Sequence, residues 1–333
     1  MIKPDFYQRD YPGAILKDMH TRRSGKGSGR TWKWVLLVLG LGLTAGFVLN
    51  ASQPGRRVEG CPAGCASQSA RSAGPLRVVS LNMLHGFPDF KDLSVRMGLI
   101  AQEIRRLDAD VVLLQEVPWT VRTGNVAKAL AGELGYNYLY YRSEGNKWLI
   151  FFEQGEAILS RYPLIDPLFT SLSPRVNLFE MRVALEAVAL TPWGPVTFAD
   201  THLTDQAPQK NLGEAQSLRS FVEAQPGNLK VVAGDFNARE DSPQIRLLSD
   251  VWSDAFRVAH PVETGLTCCI DDLKAAPGEP LEERIDYIFL AGSSGSAGRV
   301  ISLRKVFDEP FPHGGEWQWA SDHVGLMLEL GQE

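Results

Sequence analysis

Six apolar runs in this chain stop or start on side chains that bind cations or carry protons. LRVVSLN ends in Asn82, DVVLLQE in Glu116 and PVTFADTH in His202. LKVVAGDFN ends in Asp235 and Asn237. RIDYIFL carries Asp286 near its start, and SDHVGLMLEL opens on Asp322 and His323. Taken singly, each has an ordinary explanation. A Glu after a strand is usually solvated, an Asn or Asp there is a turn residue, and a buried His is a satisfied structural group. The repetition of one placement is what points to a site.

The chemistry that fits is oxygen-ligand metal binding joined to proton transfer. Mg²⁺ prefers carboxylate, amide and water oxygens and retains several waters. Glu116, Asp235, Asn237, Asn82 and Asp322 supply such oxygens, with Mn²⁺ accepted by the same donors. A histidine exchanges protons near neutral pH, and a carboxylate behind it fixes its tautomer and orientation. Asp286 behind His323 is the expected pair.

These groups need a scaffold that brings strand ends to one rim. Short runs rich in β-formers and bounded by turn residues recur from Leu76 onward. Between some of them lie helical patterns. Over 93–107, Leu93, Met97, Ile100, Ile104 and Leu107 recur at steps of three and four. Residues 212–224 predict a second helix and 243–249 a short third. Many strands with a few inserted helices predict an α/β fold, two packed sheets with helices outside.

The ordered set SLN (80–82), QE (115–116), GEAILSRYP (155–163), DTHL (200–203), GDFN (234–237), RIDYI (284–288) and SDH (321–323) resembles the endonuclease/exonuclease/phosphatase (DNase I-like) superfamily over about 78–326. The resemblance implies a four-layer α/β sandwich, two mainly antiparallel sheets flanked by helices, and hydrolysis of phosphoesters with a divalent metal. It implies Glu116 as principal metal ligand, with Asn82 near metal and phosphate and Asp322 a further ligand. It assigns Asp235 and Asn237 to the attacking water and the phosphate, Asp286 and His323 to a carboxylate–histidine pair, and His202 to a second histidine. Glu144 is expected behind His202. His85, beside Asn82, either contacts substrate or caps its turn. Leu84 stands where abasic-site enzymes carry an acidic residue, and those enzymes lack the DTHL histidine, so an abasic-site repair role is disfavoured. The stretch 264–284 reads as a loop that shapes the substrate mouth.

The chain has 333 residues and a formal charge of −5, unevenly spread. Residues 1–75 hold 11 Lys/Arg against 4 Asp/Glu, which leaves 23 against 35, a charge of −12, for 76–333. The body therefore lacks the basic excess typical of nucleic-acid binders. Residues 1–33 read as a basic cytoplasmic tail, 34–50 as a transmembrane anchor, 51–75 as a flexible linker, and 76–333 as the catalytic domain. The positive-inside rule places the tail in the cytoplasm and the body outside. The competing reading is a cleaved signal peptide and a secreted body. Outside the cytoplasm disulfides are permitted. Cys61 and Cys65 either pair or stay free. Cys268 and Cys269 are adjacent and not expected to pair, with at least one a buried small hydrophobe.

A tether raises the effective concentration of lipid head groups. The sequence thus favours a monomeric, membrane-held phosphodiesterase acting on a phospholipid, a sphingolipid or a small phosphodiester. The alternatives are an extracytoplasmic nuclease, for which Arg142, Lys147, Arg161, Arg175 and Arg182 would line the groove, and a catalytically inactive tethered module. The last would be expected to lose one of Glu116, Asp235, Asp286 or His323, and none is missing.

Overall fold

The computed structural model describes residues 28–51, 53–67, 71, 73–292 and 299–331. The basic tail lies outside them, apart from its last residues. The chain divides into two compact units, Met1–Gly46 and Phe47–Glu333. The apolar run forms a helix, Ser28–Ala51. Its segment Thr31–Val48 is long and apolar enough to cross a membrane, and a signal sequence would meet the same criterion.

Two large sheets build the body. The first has eight strands. Its spatial order is Glu59–Cys61, Asn137–Asn146, Phe152–Ser160, Val111–Thr120, Leu76–Asn82, Gly325–Gly331 and Arg299–Val306, with Gly124–Asn125 paired to the side of Val111–Thr120. The second has six, in the order Ser253–Asp254, Asp286–Ala291, Lys230–Asp235, Gly194–His202, Val183–Thr191 and Leu164–Ser171. Most neighbours are antiparallel. Two pairs are parallel, one in each sheet: Leu76–Asn82 with Val111–Thr120, and Gly194–His202 with Lys230–Asp235. A parallel pair needs a long crossover, and these are the helices Leu93–Leu107 and Pro208–Glu223.

Alternation along the strands sorts the apolar residues into layers. Val78, Leu113, Ile158, Leu185, Phe198 and Val231 belong to a core between the sheets. Val79 and Val112 turn to the outer side of the first sheet, with Ile100 and Ile104 of the Leu93–Leu107 helix and Leu130 of the Val126–Leu134 helix. Ala199, Val232 and Phe289 do the same on the second sheet, with Leu218 and Ile245 from the helices Pro208–Glu223 and Pro243–Ser249. The result is the expected order of helix, sheet, sheet, helix.

Two expectations need correction. The segment 51–75 is not a free linker along its length. Gly55 N–H donates to Arg142 O at 2.8 Å, and Glu59–Cys61 adds an antiparallel edge strand to Asn137–Asn146. Unsatisfied N–H and C=O groups on that edge give even a Gly- and Pro-rich segment a place to bind. The cysteines are paired, Cys61 with Cys65 and Cys268 with its neighbour Cys269. The second pairing runs against the expectation for adjacent residues. Cys268 is fully buried, as expected of one of the two.

Burial also leaves a titration signature away from the site. Glu186 lies buried in the strand Val183–Thr191, and its Oε2 has no hydrogen-bond partner among the described residues. Burial pushes its carboxyl up to about 7, with Lys230 pulling the other way. A carboxyl raised on folding contributes full stability below its unfolded value, and that contribution is lost as pH rises through about 7. Glu186→Gln should therefore match the parent at pH 4 and exceed it by about 1–3 kcal/mol at pH 8.5. Urea unfolding at the two pH values measures this. An equal gap at both would exclude the titration as its cause.

Candidate active site

Register explains why the chemical groups meet. Asp235 pairs with His202 on one side and with Asp286 on the other, so three ionisable residues form a row across the end of the second sheet. In the first sheet Asn82 pairs with Gln115. The ladder then breaks between Leu114 and Val117, and Glu116 takes a left-handed φ of 54°. That bulge redirects a carboxylate which regular alternation would have placed elsewhere.

Asn82 joins the two sheets at this rim. Its Nδ2 donates to Glu116 Oε1 at 3.2 Å and to Asp235 Oδ2 at 3.0 Å. Its Oδ1 accepts from Leu84 N–H at 3.1 Å, which fixes the amide orientation. Glu116 Oε2 accepts from the backbone N–H of His85 at 3.1 Å, and the His85 ring lies at 3.4 Å from the same oxygen. His85 also caps its own turn, Nδ1 accepting from Phe87 N–H at 2.8 Å. Both roles considered for His85 are thus compatible with its place.

Glu116 is held at about 2: burial works the other way, and His85, His202 and the donors from His85 N–H and Asn82 outweigh it. Burial keeps His85 and His202 themselves below the usual histidine range. The fixed amide donors are therefore the part of this stabilisation that persists at neutral pH.

The second cluster centres on His323. Its Nδ1 lies 2.9 Å from Asp286 Oδ2, and its Nε2 lies 3.7 Å from Asp235 Oδ2 and 3.6 Å from Cys268 Sγ. Burial opposes a charge on His323, but Asp286 and Asp235 carry it well above the usual range. Asp235 is pushed up to about 7 by burial, with His323 opposing and Asp286 adding to the rise. Thr267 Oγ1, on the 264–284 loop, accepts from the N–H groups of Ile285 and Asp286 at 3.3 and 3.2 Å. The loop thus sets the carboxylate that orients the histidine.

His202 Nε2 lies 2.9 Å from Asn237 Nδ2 and 3.4 Å from Asp235 Oδ2. Asn237 also donates to Leu203 O at 2.9 Å, and its backbone N–H donates to Asp235 Oδ1 at 2.9 Å. Burial, then Arg182, keeps His202 well below its ordinary value. A neutral ring accepting from Asn237 positions that amide. Ser321 Oγ donates its proton to Asn82 O at 2.6 Å and lies 3.1 Å from Asp322 Oδ1. This ties the SDH turn to the end of Leu76–Asn82.

One expected contact is absent. Glu144 accepts from Gln154 Nε2, and no bond to His202 is present among the described residues, so it is not that histidine's partner. Its strand is bulged between Arg142 and Glu144, which a sequence pattern does not reveal. Two other residues gained importance. Arg96, fully buried, donates to Met83 O, Leu84 O and Ala320 O at 2.7, 2.8 and 3.3 Å, and so clamps both loops that carry the site. Arg182, foreseen only as a groove cation, sits paired with Glu180 at 2.8 Å and acts electrostatically on His85, His202 and Glu144. A guanidinium on a helix or at a strand end reads as solvated, and only the three-dimensional contacts separate these two from the rest.

Beneath the rim, Gln115 Nε2 donates to Asp200 Oδ1 at 2.6 Å. Burial raises both Asp200 and Glu156 well above the usual carboxylate range.

The donor set suits a divalent cation. Glu116 and Asp322 offer the hard carboxyl oxygens such an ion prefers, whereas Asn82, expected as a ligand, turns its Nδ2 to Glu116 and has its Oδ1 held by Leu84 N–H, so it positions Glu116 instead. Asp235, Asp286 and His323 also lie close enough to share an ion, but His323 and Asp286 already satisfy each other.

A family model, endonuclease/exonuclease/phosphatase family, matches residues 79–323. The chain belongs to this family. Members of the endonuclease/exonuclease/phosphatase family are generally hydrolases of phosphoester bonds and typically use a divalent metal. No curated protein matches the sequence. Solved structures do. An endonuclease/exonuclease/phosphatase from Beutenbergia cavernae DSM 12333 is 22% identical with a TM-score of 0.60, covering 78% of this chain and 72% of that one. A functionally unknown conserved protein from Enterococcus faecalis V583 is 20% identical with a TM-score of 0.62, covering 78% and 100%. Truncated TDP2 from Caenorhabditis elegans is 18% identical with a TM-score of 0.58, covering 77% and 97%. At these identities the likeness is one of fold.

Proposed function

We propose that the protein is a metal-dependent phosphodiesterase that cleaves a phospholipid, a sphingolipid or a small phosphodiester outside the cytoplasm. The observation that carries the reading is the meeting of Asn82, Glu116, Asp235, Asp286 and His323 at one rim of the two sheets. Glu116 and Asp322 would hold the cation, with Asn82 donating to Glu116, and the ion when bound would polarise the phosphoryl group and offset its charge.

The remaining chemistry falls to the protein. Asp235, at about 7, is the proton acceptor for the attacking water. Asn237, whose Nδ2 is committed to His202 Nε2 and Leu203 O, offers its Oδ1 as acceptor to that water. As the water oxygen bonds to phosphorus and the ester P–O bond breaks, the departing oxygen takes a proton from His323, the group that carries one at neutral pH. The proton on Asp235 then returns to His323 Nε2, 3.7 Å away. Asp286 keeps the ring aligned throughout.

The acidic body supports a lipid or small substrate over long polyanions. The test uses the full-length protein in detergent with Mg²⁺ and with EDTA. It is presented in parallel with sphingomyelin and glycerophospholipid mixed micelles, plasmid DNA, RNA and bis-p-nitrophenyl phosphate. EDTA-sensitive cleavage of lipid but not DNA is expected. Cleavage of DNA or RNA alone would replace this reading with an extracytoplasmic nuclease. Intact substrates throughout would favour an inactive module.

A further inference from the structure

We infer that an apolar collar beside the active site docks onto the same phospholipid bilayer that would hold the chain's own apolar helix. The collar comes from three separate segments. The loop after Asn137–Asn146 presents Trp148, Ile150 and Phe151, with Trp148 80% and Phe151 62% exposed. Leu178 and Phe179 are 58% and 59% exposed, and Phe87 is 45% exposed. Large side chains exposed in such numbers are uncommon on a soluble surface, and clustering marks an interaction site.

They do cluster, and next to the chemistry. Phe87 stacks on Phe152 with ring centroids 4.5 Å apart, and His85 lies 5.1 Å from the same ring. Phe87, Ile150 and Phe179 line one groove together with His85, Glu144 and, from the last turns of the apolar helix, Phe47 and Val48. Phe87, Ile150 and Phe151 line a second groove of about 510 Å³ on the adjoining side. An apolar wall thus leads to the residue whose backbone N–H holds Glu116.

Chain connectivity names the occupant. The apolar helix ends at Ala51, and the chain is already fastened at Gly55, which bonds Arg142 O through its N–H and accepts from Tyr141 Oη at 2.9 Å. Four residues reach at most about 14 Å. The attachment point lies on the strand Asn137–Asn146, whose end runs directly into the Trp148–Phe151 loop. A bilayer crossed by the helix is therefore within reach of the collar, and no long linker separates the two. The composition also fits the water–lipid boundary: Lys147 precedes Trp148, and aromatic rings dominate. The inference rests on the reading of the apolar helix as a membrane span and gives the lipid substrate a route to the rim.

The experiment uses the full-length protein in phosphatidylcholine–phosphatidylglycerol vesicles. A thiol-reactive fluorophore is placed at Phe151→Cys or, separately, Phe179→Cys, with Val262→Cys, 94% exposed, as the reference. The native cysteines are all paired. Nitroxide-bearing lipids should quench positions 151 and 179 several-fold more than 262. Equal quenching at all three overturns the collar, whatever the substrate is. Cross-links between chains at 151 without lipid quenching would assign the face to a second copy and overturn it too. In the double variant Trp148→Ala, Phe151→Ala, turnover of vesicle phospholipid should fall about tenfold with bis-p-nitrophenyl phosphate turnover unchanged. An equal fall on both substrates would overturn the delivery role. Quenched labels with no phospholipid turnover in the parent would leave the collar standing and remove the lipid reading of the active site.

Discussion

Replacing His323 by Ala should lower the turnover of any substrate the enzyme cleaves by about 10²–10⁴-fold, the usual contribution of one positioned acid–base group. In the proposed mechanism the side chain does two jobs. It carries the proton for the departing oxygen, and its charge holds down the carboxyl of Asp235. The second job gives the prediction a distinguishing mark. Asp235 must be ionised to accept a proton, so the rate of the parent falls as pH drops through about 7. Without His323, burial and Asp286 are opposed less, by the donors from Asn82 and Asn237, so the pKa of Asp235 rises and the acidic limb of the pH profile moves to higher pH. A rate profile from pH 5 to 9 tests both points. A variant with parental turnover would remove His323 from the mechanism. A large loss with an unmoved acidic limb would keep the histidine and reject its coupling to Asp235.

The second large effect is expected at Glu116. Glu116→Gln keeps the size of the side chain and one acceptor oxygen but removes the charge. The Mg²⁺ concentration for half-maximal activity should rise at least about tenfold, since even residues that only support metal ligands account for about 10–100-fold in affinity. Saturating Mg²⁺ or Mn²⁺ should recover part of the lost rate. A titration of activity against each ion decides, and an unchanged midpoint would remove Glu116 from the ligand set. Thermal unfolding should be little affected without metal, because the fold at this point is set by the bulge and by Asn82 rather than by the charge.

Much of this site was legible before any coordinates, for a physical reason. A strand that runs through a core and ends at a rim must switch from apolar to polar at its end, so Asn82, His202 and Asp235 announce themselves by position. The helix Leu93–Leu107 was legible because its apolar stripe keeps a helical period. The helix Val126–Leu134 was not expected: it is short, and its start signal, Asn125 accepting from Lys128 N–H at 3.2 Å, is one residue in a polar turn. What stayed hidden everywhere was pairing between distant segments. Glu144 lost its expected partner to a bulge, Arg96 gained four carbonyls, and an edge strand formed from a segment that reads as linker. Composition records burial well and records partners hardly at all.

The place of Gly325–Gly331 has a consequence for how the enzyme comes into being. This strand lies between Leu76–Asn82 and Arg299–Val306, inside the first sheet rather than at its border. A ribosome releases the Asn82 and Glu116 segments long before it releases the strand that must flank them. Contacts spanning some 240 residues close late and slowly. The growing chain therefore cannot assemble this rim until Gly325–Gly331 has emerged and taken its place in the sheet.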